Sequence, residues 1–97
     1  MSRRLEFHPL ALREAEVATQ WYLNRSPVAA DGFIEEMQGA AQAISAAPLR
    51  HAAYLHGTRR YLLKKYPYLV VFRVTETAIR VLAVAHGRRR PGYWRGR

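Results

Sequence analysis

A dense group of basic and titratable side chains lies in the second half of the chain, and these residue types suit chemistry on phosphate. Guanidinium groups grip phosphate bidentately and stabilise a pentavalent phosphorane, while a Tyr or His side chain can move a proton. Metal-free RNA cleavage needs that combination. The candidate catalytic residues are Arg59, Arg60, Lys64, His86, Arg88, Arg89, Arg90 and Tyr93. A solvated basic surface that contacts an acidic partner explains the same residues without catalysis.

Large aromatic side chains are more numerous than so small a core needs, which predicts that several stay exposed. Exposed aromatics among arginines are typical of interface anchors. Tyr22 shares a helical stripe with Leu12, and a core role is favoured for it. For Trp94 two alternatives stay open, packing back on the sheet or anchoring a partner. The candidate residues for binding a target or another partner are Trp21, Arg60, Lys65, Arg73, Arg89, Tyr93 and Trp94.

Other kinds of active site are disfavoured by the residue types present. The chain has no cysteine, which removes thiolate metal sites, cysteine nucleophiles and disulfides. Its histidines are scattered, and none pairs with another at i, i+4 around a carboxylate, so we expect no metal and no cofactor. The carboxylates of the predicted helices are interpreted as solvated charges on outer faces; they are Glu14, Glu16, Glu35 and Glu36.

The charge of the chain is concentrated in one half. Overall, 16 Lys and Arg residues face 7 Asp and Glu residues, a net charge of +9. Residues 1–48 hold four basic and six acidic residues (net −2), whereas residues 49–97 hold twelve basic residues and one acidic residue (net +11). Such a field attracts polyanions, among them nucleic acid and acidic proteins.

Hydrophobic periodicity predicts the elements that must position these side chains. We expect helices over residues 10–24 and 27–47, and strands over residues 4–8, 58–65, 69–74 and 78–85. Ser26 and Pro27 are typical of a helix N-terminus, and the short connection there makes the two helices an antiparallel hairpin. Residues 49–57 show no period and are predicted to be a loop.

The order β-α-α-β-β-β predicts a two-layer α+β domain, with the helical hairpin packed on a small, mainly antiparallel sheet. A chain of 97 residues forms one domain, 1–97, in which residues 87–97 are predicted to be a basic tail, too polar to be buried, with two aromatic anchors. No apolar run reaches the ~18 residues of a membrane span and no signal peptide is visible, so we expect a cytoplasmic protein.

Several stretches, in a definite order along nearly the whole chain, are similar to the pattern of one known family. They are Phe7-His8-Pro9-x-Ala11, Trp21-Tyr22, Ser26-Pro27 with Phe33, Tyr66-Pro67-Tyr68, and Val81 to His86 followed by Arg89, Pro91, Tyr93 and Trp94. The chain thereby resembles the RelE/ParE superfamily of toxins from type II toxin–antitoxin operons. The resemblance implies the RelE/ParE fold and a toxin that is held inactive by a cognate, acidic antitoxin.

Two target classes compete within that superfamily. RelE-like members cleave mRNA in the ribosome, whereas ParE-like members poison DNA gyrase and lack the catalytic set. The chain has Leu69 or Val70 where the nucleases have a central-strand arginine, and Arg73 lies about 13 Å farther along the strand. The resemblance therefore favours a ParE-like, non-enzymatic gyrase inhibitor. A RelE-like mRNA endonuclease is the alternative, and a non-toxic basic nucleic-acid-binding module is the second alternative.

Overall fold

The computed structural model describes residues 3–97, and its centre is a five-stranded mixed sheet with two helices on one face. The elements are β1 (Arg4–Phe7), α1 (Pro9–Leu23), α2 (Pro27–Ala46), β2 (Ala52–Ala53), β3 (Arg59–Leu62), β4 (Tyr68–Val74) and β5 (Ala78–His86). The strand order is β1-β5-β4-β3-β2. Strand β1 runs parallel to β5 and the other neighbours are antiparallel. The predicted two-layer α+β fold is confirmed.

Both helices begin where a polar side chain precedes a proline. The His8 Nδ1 atom accepts a hydrogen bond from the Leu10 backbone N–H at 3.1 Å, and the Ser26 hydroxyl accepts one from the Ala29 N–H at 3.2 Å. Each cap satisfies an N–H group that the first helical turn leaves without a partner, and the following proline has none to lose. The predicted start of the second helix is confirmed.

The predicted loop over residues 49–57 is wrong at two positions, because Ala52 and Ala53 form β2 opposite Arg60 and Arg59. A turn brings this segment back along β3, and the Tyr54 N–H donates to the Thr58 carbonyl at 2.8 Å. So short a strand has no periodicity that a sequence could show. The strand predicted over residues 58–65 also ends early, at Leu62.

One face of the sheet, the helix face, is covered by α1 and α2. Phe33 and Phe72 are completely buried there, and the Tyr22 ring stacks on Phe33 at 5.4 Å, as expected for a core residue. The Tyr66 hydroxyl donates to the Ala29 carbonyl at 2.6 Å and occupies the space that a Cβ atom at Gly32 would need. Glycine therefore allows β4 and its preceding turn to approach α2 closely.

The opposite face, the tail face, is covered by the C-terminal segment, residues 87–97. Trp94 is only 2% exposed, and its ring stacks on Tyr54 with centroids 5.5 Å apart. Beneath it lie buried side chains of β4 and β5, which are Val71, Leu82, Ala83 and Ala85. Most of the segment is exposed, and Trp94 is its buried anchor. Strands β4 and β5 are apolar on both faces, so the second face also needs a cover.

Candidate functional site

Glu14, on α1, is the centre of a polar cluster that joins the C-terminal segment to the rest of the domain. Its Oε1 atom accepts hydrogen bonds from the Val84 N–H and from the Arg97 guanidinium, both at 3.0 Å. Its Oε2 atom accepts from the Tyr93 hydroxyl at 2.7 Å and from Arg97 at 3.1 Å. Arg89 lies 3.5 Å from the same oxygen. We call these residues the Glu14 cluster.

The interpretation of Glu14 as a solvated charge is wrong, since its side chain is only 16% exposed. The cause lies in the sheet. Pairing between β1 and β5 ends at Phe7 and Val81, so beyond that point, among the described residues, β5 has no strand on the side away from β4. Glu14 accepts from the Val84 N–H there, and Arg97 donates to the Leu82 carbonyl at 3.0 Å. The two side chains thus satisfy backbone groups that would otherwise be buried without partners.

Tyr93 is held as a neutral hydrogen-bond donor in this cluster. Burial, and then its hydrogen bond to Glu14, raise the pKa of the Tyr93 phenol well above its ordinary value. The Arg89 guanidinium lies over the ring, 3.7 Å from its centroid. A phenol that keeps its proton so strongly, and already donates it to a carboxylate, is a poor general base.

Two other candidate catalytic residues, Arg59 and Arg60, are directed away from each other. Arg59 and Arg60 are neighbours in β3 and project to opposite faces of the sheet. Arg59 donates to the His51 carbonyl at 2.8 Å, whereas Arg60 lies over the Tyr54 ring at 4.7 Å on the tail face. The structure therefore separates these two arginines.

Lys64 and His86 make separate contacts in different parts of the fold. Lys64 lies beyond the end of β3, and its backbone N–H donates to Glu36 at 2.7 Å. His86 accepts from the Arg88 N–H at 3.0 Å, and its ring meets that of Tyr68 edge to face at 5.1 Å. Of the predicted nuclease residues, the structure joins Arg89 to Tyr93 and His86 to Arg88, and it builds no common site from the whole set.

Among the candidate binding residues, Trp21 is 48% exposed on α1. Arg25, which the sequence did not single out, lies just beyond the end of α1 and stacks on its ring at 3.5 Å. A spacing of four at a helix C-terminus is the signal that could have identified the pair. Trp21 borders a cleft of about 280 Å³ that is also lined by Tyr22, Tyr68 and His86. An exposed indole beside an aromatic cleft is suited to partner contact.

The remaining candidates differ in how much surface they offer. Arg73 is exposed and donates to the His56 carbonyl at 3.2 Å, and the backbone N–H of exposed Lys65 donates to Glu36 at 3.1 Å. Of the two alternatives for Trp94, the structure shows that it packs back on the sheet, where it forms part of the core of the tail face. Tyr93 is partly buried, with its hydroxyl directed at Glu14.

Three arginines of the C-terminal segment, Arg88, Arg90 and Arg95, are exposed. Over the described range 3–97, no carboxylate lies within 4.0 Å of any of them. We call them the free arginines. The segment is thus secured through Tyr93, Trp94 and Arg97, and it presents the free arginines to solvent.

Two further observations bear on the kind of protein. In the part of the chain that the structure describes, no His, Asp and Glu side chains come together in a group of three that could bind a metal ion. Within the same residues, neither helix combines the length and the apolar character needed to cross a bilayer.

Comparison with known proteins agrees with the fold and the sequence motifs. The family model described as ParE toxin of type II toxin-antitoxin system, parDE, matches residues 5–91. A solved structure described as the chromosomal ParDE TA system from P. aeruginosa has a similar fold, with a TM-score of 0.76 and 17% identity over 88% of this chain and 96% of that chain. No curated protein sequence matches significantly. The chain belongs to the ParE family of toxins from type II toxin–antitoxin systems.

Proposed function

We propose that this toxin acts in the cytoplasm by binding DNA gyrase, and that a cognate acidic antitoxin neutralises it. Membership of the ParE family establishes a toxin with an antitoxin partner. Gyrase as the target and an acidic character of the antitoxin are the parts that we propose. They follow from the superfamily branch that the sequence favours and from the distribution of charge.

The observation on which the choice of target rests is the state of Tyr93. Its hydroxyl donates to Glu14 at 2.7 Å, and its raised pKa makes the phenol harder to deprotonate than that of an ordinary tyrosine. Arg59 and Arg60 lie on opposite faces of the sheet, and the hydroxyl of Tyr93, beside Arg89 and Arg97, is already engaged by Glu14. Binding to a protein target needs no catalytic site, so inhibition of gyrase is favoured over cleavage of mRNA.

The proposed acidic antitoxin follows from the basic half of the molecule. Residues 49–97 hold twelve basic residues and one acidic residue, and the free arginines are exposed without carboxylate partners in the described chain. Carboxylates of an antitoxin would supply those partners and raise the rate of association. The exposed Trp21 with its aromatic cleft offers an apolar anchor on the same molecule.

The proposal is tested by adding purified toxin to gyrase and relaxed DNA, and in parallel to a translating ribosome system. We expect supercoiling to be inhibited and the mRNA to remain intact. Replacing the free arginines together by glutamine should weaken inhibition by about tenfold or more, since each exposed charge contributes modestly. The matched control is Arg50→Gln, which removes an exposed arginine outside the C-terminal segment.

The possible outcomes separate the alternatives. Unaffected supercoiling at excess toxin would reject gyrase as the target. Codon-phased cleavage of mRNA that is lost in Tyr93→Phe would support the nuclease instead. Salt-sensitive affinity for nucleic acid without growth inhibition would support the basic binding module.

A further inference from the structure

We propose that Glu14 is a positioning residue for toxicity: it docks the C-terminal segment on the sheet and thereby holds the free arginines in the arrangement that binds an acidic protein target. The inference rests on the proposed function in one respect, namely that the free arginines contact the target. The family model matches residues 5–91, so Tyr93 and Arg97, through which Glu14 would act, lie outside the matched stretch.

Glu14 differs from an ordinary surface carboxylate in the number and direction of its bonds. Arg97 donates to both carboxylate oxygens, at 3.0 and 3.1 Å, in the bidentate arrangement that makes such pairs strong. The two side chains are only 16% and 14% exposed, so solvent screens this pair less than an exposed one. Helix α1, strand β5 and the C-terminal segment are joined at this one carboxylate.

The C-terminal segment has few other means of attachment. Its backbone hydrogen bonds are mostly short-range turns, such as Tyr93 N–H to the Arg90 carbonyl and Arg97 N–H to the Trp94 carbonyl. Turns of this kind shape the segment without connecting it to the domain. Apart from the bond between Gly87 and the Pro67 carbonyl at 2.7 Å and that between Arg97 and the Leu82 carbonyl at 3.0 Å, docking depends on burial of Trp94 and on the Glu14 cluster.

Burial of one indole does not determine a unique orientation, because apolar burial is non-directional. The hydrogen bonds to Glu14 are directional. They fix the side chains of Tyr93 and Arg97, which precede and follow Trp94 in the chain. Arg90 and Arg95 lie within three residues of those two anchored side chains. The carboxylate therefore orients the free arginines without touching the target itself.

Glu14→Gln is the variant that tests this role, with Glu16→Gln as its matched control. Glutamine keeps the size of the side chain, but it directs an NH₂ group at donors and loses the charge that pairs with Arg97. Glu16 is an exposed residue of the same helix. Arg97→Gln breaks the same contact from the other side and leaves α1 unchanged, so it replaces Glu14→Gln as the test if that variant fails to fold.

Toxicity is measured as growth arrest after induction without antitoxin, a readout that does not depend on the identity of the target. Docking is measured as the rate of trypsin cleavage within residues 88–97. We expect Glu14→Gln to be cleaved about tenfold faster than wild type and to need about tenfold more protein for growth arrest. Its far-UV circular dichroism should match wild type, and Glu16→Gln should behave as wild type in every assay.

A double variant distinguishes positioning from a general loss of stability. If Glu14 acts through Arg97, then Glu14→Gln with Arg97→Gln should lose no more toxicity than the more affected single variant. Full toxicity of the Glu14→Gln protein, unchanged trypsin protection, or additive losses in the double variant would each overturn the inference. Growth arrest by wild type without inhibition of gyrase would instead reject the proposed target and leave this test valid.

Discussion

The two faces of the sheet are both buried, but they are buried by different means. The helix face is covered by two helices of 15 and 20 residues, which bury aliphatic and aromatic side chains from every long strand. The tail face is covered by the C-terminal segment through Trp94 and Tyr93, together with Tyr54. Its attachment is completed by one carboxylate, Glu14.

The difference teaches how a small toxin can divide its surface between stability and function. Burial on the helix face is extensive and spread over many residues, so no single hydrogen bond controls it. Docking on the tail face depends on a few directional bonds, and its opening free energy should be lower than that of global unfolding. The free arginines lie on this less strongly secured side.

The largest effect that tests this comparison is expected for Phe33→Ala on the helix face. Phe33 is fully buried. The centroid of its ring lies 5.3–5.5 Å from the ring centroids of Tyr22, Tyr66 and Tyr68. Its loss should lower the free energy of unfolding by about 3–5 kcal/mol, because a cavity forms that the helices cannot close. The measurement is urea denaturation followed by circular dichroism.

Val28→Ala is the control on the same helix, since Val28 is 80% exposed. Its free energy of unfolding should stay within about 0.5 kcal/mol of wild type. If Phe33→Ala cost no more than Val28→Ala, the helix face could not be the main source of stability.

A smaller effect is expected for Trp94→Ala on the tail face. Although Trp94 is as buried as Phe33, the C-terminal segment can detach without opening the helix face, which limits the cost to about 2 kcal/mol. The measurements are urea denaturation and trypsin cleavage within residues 88–97, which should be strongly accelerated. A loss of stability equal to that of Phe33→Ala would show that the two faces unfold as one unit.

Trp94→Phe sharpens this result. The indole Nε1 atom is buried without a hydrogen-bond partner, so phenylalanine removes an unsatisfied donor while keeping an aromatic ring over the sheet. It should therefore cost clearly less stability than Trp94→Ala.

The smallest effect concerns alkaline pH. The raised pKa of Tyr93 means that the folded state binds the phenolic proton more tightly than the unfolded state, where the pKa is near its ordinary value of 10.0. The resulting stability is fully present below pH 10 and is lost as the pH rises through the folded-state pKa. Its loss contributes at most about 1.4 kcal/mol per pH unit.

Tyr93→Phe should therefore lose stability less steeply than wild type above pH 10, as measured by urea denaturation across a pH series. Burial also raises the pKa values of Tyr22 and Tyr68 on the helix face, so the variant keeps part of the alkaline loss. Parallel slopes for variant and wild type would contradict the tight engagement of the Tyr93 hydroxyl.

Much of the architecture followed from local patterns. Strands β4 and β5 were predicted from their β-branched and aromatic runs, and α2 was predicted from Ser26 and Pro27 at its start. These signals act over a few residues, so they are visible in a single chain. Strand β2 was missed because two residues show no period, and its pairing with β3 is imposed by a turn.

The candidate site was predictable in composition and not in geometry. Arg88 to Arg90 and Tyr93 were identified by residue type, and all of them lie in the C-terminal segment. Glu14 was interpreted as solvated, because in sequence it resembles Glu16. It contacts Arg97 across a separation of 83 positions, and no local pattern reports such a contact.

By itself, the sequence determined the helical hairpin, the three main antiparallel strands, the one-sided charge and the toxin family. Periodicity, capping residues, composition and ordered motifs are properties of the sequence alone, so they do not depend on the fold. Only the tertiary structure decided that Trp94 is core, that the Tyr93 hydroxyl is engaged by Glu14, and that Glu14 joins three parts of the fold. The physical reason is that β1 ends opposite Val81, which leaves one edge of β5 without a strand partner in the described chain, and α1 and the C-terminal segment meet at that edge.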